Sequence, residues 1–86
     1  MKHAITIDPQ VYTYTIMQTY YEKNRGNMDR ALTHAMCAGV DAGVLGLKPD
    51  ECPFLDPGMI DFELKWRWGR EQSLKVNAQQ EQGNLL

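Results

Sequence analysis

The segment Lys65-Trp66-Arg67-Trp68-Gly69-Arg70 interleaves two indoles with three cations. Trp and Arg dominate the energetics of protein interfaces, and an indole can also stack on a nucleic-acid base while Arg or Lys engages phosphate. A plainer role competes with both. From Ile60 to Trp68 apolar and charged residues alternate strictly, which on a strand groups Ile60, Phe62, Leu64, Trp66 and Trp68 on a core face and Asp61, Glu63, Lys65 and Arg67 on a solvent face. Two tryptophans exceed what so small a core readily covers, so part of this aromatic surface is expected to stay open for a partner. Tyr12, Tyr14, Tyr20 and Tyr21 add four phenols on more than one face of a helix. Tyr14 and Tyr21, with Lys65, Trp66, Arg67, Trp68 and Arg70, are the candidate protein-binding residues, because Tyr supplies rigid, amphipathic contact area.

Other chemistry finds less material. His34 and Cys37 stand three residues apart on one helix face, but Cys52 and His3 are isolated and no C-x₂₋₄-C pair exists. Structural zinc sites depend on such pairs, so no metal is expected. The single serine, Ser73, lies in a polar stretch, and Cys37 lies inside a helix, without a base and an orienting group in evidence. No G-x-G-x-x-G, Walker loop or H-E-x-x-H is present. The expectation is a protein without enzymatic activity and without a cofactor.

Several elements must position these residues. Lys2 to Ile7 alternates with β-branched residues and reads as a short strand. Asp8-Pro9 is a helix start, Asp as the cap and Pro where no intrahelical N–H bond is needed. A helix over 9–24 follows, with a strand through the β-formers Val11 to Ile16 as the competing reading. Gly26 offers a left-handed stop and Asn27 the next cap. Met28 to Val44 keeps an i, i+3, i+4, i+7 rhythm, and Ala35, Gly39 and Gly43 form a small-residue stripe suited to close approach of another backbone. We assign that stripe to self-association, with the outer edge of the 59–68 strand as an alternative surface. Lys48 to Gly58, with three prolines, reads as an irregular connector pinned by Phe54 and Leu55. Ser73 to Ala78 fits a returning hairpin strand or a short helix. The expected fold is α+β: two helices packed on a small, largely antiparallel two- or three-stranded sheet, in the order strand-helix-helix-strand with a possible C-terminal hairpin. Residues 1–78 form a single domain and 79–86 a polar, flexible tail.

Length and charge bound the function further. With 86 residues, 43% hydrophobic, and nine Lys plus Arg against eleven Asp plus Glu, the chain is one small domain with a thin core that self-association would help to stabilise. Only four residues separate Met1-Lys2-His3 from Asp8-Pro9, short of a secretory signal, and no run approaches the ~20 apolar residues of a membrane span. A cytoplasmic location, no membrane contact and two free thiols are expected.

The layout of residues 1–46, strand, helix, glycine turn and helix, resembles the ribbon-helix-helix family of dimeric DNA-binding repressors. That resemblance implies strands paired between two subunits, with Lys2, Ala4 and Thr6 facing the major groove and Lys2 and Thr6 as the DNA-binding residues. Residues 1–46 carry four basic and four acidic side chains, which gives phosphate little to hold. DNA binding therefore ranks second, and nucleic acid is a disfavoured partner. The preferred expectation is a small, homo-oligomeric protein-binding module, a regulator or inhibitor of the kind carried by phage and other mobile elements.

Overall fold

The computed structural model describes residues 7–84, with side chains to Val76, and among the described residues there is no strand. Three helices make the fold: α1 (Pro9–Asn24), α2 (Met28–Leu45) and α3 (Ile60–Asn84), with short 3₁₀ turns at Pro49–Glu51 and Pro57–Met59. The expected α+β sheet is thus replaced by an all-helical arrangement. The proposed first strand falls mostly on residues 1–6, outside the described residues.

Local chemistry explains the first two helices. The Asp8 carboxylate accepts from the Gln10 N–H at 2.9 Å, and Pro9 opens α1 where its missing N–H is harmless. Gly26 at φ 82° ends α1: its N–H donates to Lys23 O and that of Asn27 to Glu22 O. Gly46 at φ 78° ends α2 in the same way, with Leu47 N–H reaching Ala42 O. Both stops satisfy helix carbonyls that would otherwise lack partners.

The 60–68 segment is the correction with the most consequences. It is the first third of α3, and residues 73–78, open between a returning hairpin strand and a short helix, continue the same helix. A step of two residues rotates 200° on a helix, so strict alternation splits into two i, i+4 sets rather than scattering. Phe62 and Trp66 face inward and are buried; Ile60, Leu64 and Trp68 fall nearly opposite and are 57%, 60% and 52% exposed. The charges sort the same way, Asp61 with Lys65 and Glu63 with Arg67. Each acid precedes its base by four residues, the orientation that supports a helix, and Arg67 Nε meets Glu63 Oε2 at 2.8 Å.

Packing centres on α2. Ala31, Ala35, Ala38 and Ala42 are fully buried on one side of it, and Gly39 and Gly43 meet α3 on the next. A Cβ on Gly39 would overlap the Trp66 carbonyl, and one on Gly69 would overlap the Met36 carbonyl. Backbone therefore lies against backbone. Leu32 shares a groove with Asp61 and Lys65, Gly39 meets Trp66, and Gly43 meets Arg70 and Ser73. Contacts advance together along both helices, so α3 runs parallel to α2. Residues 46–59 must return along the molecule to start it. On that return Cys52, Phe54 and Met59 are buried, with Phe54 ring centroids 5.8 Å from Tyr20 and 6.1 Å from Phe62. This segment is the connector expected from its prolines, and Phe54 pins it; Leu55 points to solvent.

Candidate functional site

The aromatic and basic cluster of 65–70 is dispersed by the helix that carries it. Trp66 is fully buried, and its indole N–H donates to the Tyr12 phenol oxygen at 3.2 Å. Gly69 is buried against α2. Arg70 Nε donates to Leu47 O at 2.7 Å, placing a cation where the last carbonyls of α2 concentrate negative potential. Arg67 is held by Glu63. Only Lys65 and Trp68 remain together at the surface, where they join Leu32, Met36, Asp61 and Leu64 around an open groove of about 520 Å³ between α2 and α3. Trp66 is therefore a core residue, and Arg70 holds a helix end.

Gly39 and Gly43 of the Ala35-Gly39-Gly43 stripe do receive a close neighbour, α3 of the same chain, and Ala35 is buried on the adjoining side of α2. All three residues are buried without a second copy, which removes them as a self-association surface. Lys2 and Thr6, with Ala4, lie outside the described residues.

Tyr14 and Tyr21 are exposed, and the structure groups them with Val11 and Met17, which helical spacing alone counts with the apolar side of α1. Val11, Tyr14, Met17 and Tyr21 are each more than half exposed along the outer side of α1. Tyr12, Ile16 and Tyr20 take the inner side, where Tyr20 Oη donates to Pro53 O at 3.3 Å. The signal was present in the i, i+3, i+6, i+10 spacing of the outer set, which no core contact explains. At the end of this stripe the Arg25 guanidinium lies 5.3 Å from the Tyr21 ring centroid and 3.1 Å from Glu22 Oε1. Glu22 is buried, and its second carboxylate oxygen makes no hydrogen bond. Arg25 thus links a buried carboxylate to an exposed aromatic, fixing the ring orientation by a cation–π contact.

Titratable groups elsewhere are set for packing. Burial pushes the Cys52 thiol up from its ordinary 9.0, outweighing the Phe54 N–H that donates to Sγ at 3.5 Å and the positive charge of Arg67. A thiol so raised is a poor nucleophile at neutral pH. Burial likewise raises the phenols of Tyr12 and Tyr20 and the carboxyl of Asp41. Both cysteines are free, Cys37 exposed and Cys52 buried. Among the described residues no three His, Cys, Asp or Glu side chains gather as metal ligands, and no helix is long and apolar enough to cross a membrane. No protein-family model, curated protein or solved structure matches the chain.

Proposed function

We propose that the protein acts in the cytoplasm by binding another protein through the outer side of α1, as a regulator or inhibitor rather than an enzyme. One observation carries this reading: Val11, Tyr14, Met17 and Tyr21 form a continuous exposed apolar stripe on a helix whose other side already fills the core. Core packing needs only one side of a surface helix. Two tyrosines and a methionine on the other side match the residue types enriched at interfaces, and a helix presenting i, i+3 and i+7 side chains is a common occupant of a partner's groove. Arg25, ordered by Glu22 and Tyr21, supplies a cation at the end of the stripe.

Photo-cross-linking tests it. A photoreactive phenylalanine at Tyr14, compared with one at the exposed Thr33 on α2, should give one saturable adduct in cells that the Thr33 position does not give. With that partner purified, Tyr14→Ala and Tyr21→Ala should each weaken the complex by ~1–4 kcal/mol with the helical fold intact. Equal adducts from both positions, or unchanged affinity in both variants, would overturn the proposal.

A further inference from the structure

The outer side of α3 carries a second apolar stripe, separate from that of α1. We infer that Ile60, Leu64 and Trp68 form a self-complementary surface on which a second copy of this chain docks, its α3 antiparallel and Leu64 on the two-fold axis.

The spacing requires an antiparallel partner. Ile60 and Trp68 stand four residues to either side of Leu64, so rotation about an axis through Leu64 sets Ile60 against the partner subunit's Trp68 and the two Leu64 side chains against each other. A two-fold contact needs one surface to complement itself, and a large residue opposite a medium one, flanking an equal central pair, does so.

The charges agree with the same axis. In antiparallel helix pairs each flank of the stripe meets the same flank of its partner. On one flank lie Asp61 and Lys65; on the other, Glu63 and Arg67. At 1.5 Å per residue, the axis brings Asp61 within about 3 Å, along the helix, of the level of the partner subunit's Lys65, and Glu63 equally near that of the partner subunit's Arg67. On each flank the axis leaves two opposite-charge pairs and one like pair at that spacing, Lys65 with the partner subunit's Lys65 on one and Glu63 with the partner subunit's Glu63 on the other, while like carboxylates on the Asp61 flank are three times farther apart. Parallel pairing in register would instead set the Asp61 flank against the Glu63 flank, with Asp61 at the level of the partner subunit's Glu63 and Lys65 at that of the partner subunit's Arg67, two like pairs to one opposite pair on each side. Rim charges so arranged select partner and orientation. The groove beside Trp68, lined by Leu32 and Met36, extends the apolar surface onto α2.

The area fits a reversible dimer. One such stripe is smaller than the ~800 Å² per subunit of a standard stable interface, so the dimer is expected to be weak and reversible.

Sedimentation from ~1 to ~500 µM should show the mass of the wild-type protein rising from 9.9 kDa toward twice that value. Leu64→Glu should stay monomeric throughout with its helical circular dichroism unchanged, because Leu64 contributes little to the core. Cysteine pairs read the geometry in a Cys37→Ser background, since Cys37 is exposed. Leu64→Cys should cross-link to itself on mild oxidation, whereas Ile60→Cys and Trp68→Cys should cross-link with each other and neither with itself. A wild-type monomer at the highest concentration, a dimer that survives Leu64→Glu, or self-linking by Ile60→Cys would each overturn the inference. None of these results depends on the partner assigned to α1.

Discussion

Trp66 on α3 donates its indole N–H to the phenol oxygen of Tyr12 on α1 at 3.2 Å, joining the first and last helices at the edge of the core. The indole has no exposed surface, so the N–H has no access to water. Tyr12→Phe removes the acceptor while keeping the ring, and should cost ~1–3 kcal/mol in urea unfolding, the range for leaving a buried donor unpaired. In the Trp66→Phe background the same change should cost clearly less, since the donor is gone. Equal costs in both backgrounds would show that the bond contributes nothing.

The same phenol links stability to pH. Burial raises Tyr12 and Tyr20 from 10.0 and Cys52 from 9.0, so in each case the folded protein holds its proton more firmly than the unfolded chain. Their stabilising contribution is complete below the unfolded values and is lost as pH rises through the folded ones. Urea midpoints should therefore fall as pH climbs above about 9, and Cys52→Ala should move the onset of that fall toward 10. A midpoint that rises over this interval would contradict the assignment.

Gly39 and Gly69 mark where α2 and α3 touch backbone to backbone. Gly→Ala inside a helix gains up to ~1 kcal/mol of propensity, but here the new methyl meets a carbonyl of the neighbouring helix. Gly39→Ala and Gly69→Ala should each destabilise by a net ~1–3 kcal/mol. Gly58→Ala, with open space around its Cβ position, should shift the thermal midpoint little. Three equal responses would mean the helices are not in this contact.

Phe62 and Leu64, two residues apart, should respond oppositely to the same substitution. Phe62→Asp buries an unpaired carboxylate at a cost of several kcal/mol, comparable with the whole stability of a domain this small. Leu64→Asp should stay within ~0.5 kcal/mol for the monomer. Thermal melts at low micromolar concentration separate the two. Equal sensitivity would restore the strand reading, in which both side chains share one face.

That pair also shows what could be read in the sequence. Asp8-Pro9, Gly26 and the Met28 to Val44 rhythm specify caps and a stripe through local chemistry, and α1 and α2 appear where those features place them. Tyr14 and Tyr21 were legible as surface phenols because four tyrosines cannot all sit on one side of a helix. The 60–68 alternation is ambiguous because a period of two satisfies a strand and also yields i, i+4 pairs. The deciding signal was the order of charges, Asp61 before Lys65 and Glu63 before Arg67, with few β-branched residues from Ile60 onward. The small residues Gly39 and Gly43 signal a close-approach surface, but the backbone that approaches belongs to α3, whose opening residues alternate as a strand does.

The parallel course of α2 and α3 has a kinetic consequence. α1 and α2 are joined by residues 25–27 and can pair as a local hairpin of helices, whereas α3 can dock only after residues 46–59 have doubled back. Closing such a loop costs roughly 2 kcal/mol of chain entropy, incurred before Trp66 reaches Tyr12. The helical hairpin is thus the natural nucleus and α3 the late arrival. Destabilising changes at Gly69 or Phe62 should then act mainly on the unfolding limb of a chevron plot, and changes at Ala35 or Ile16 on the folding limb.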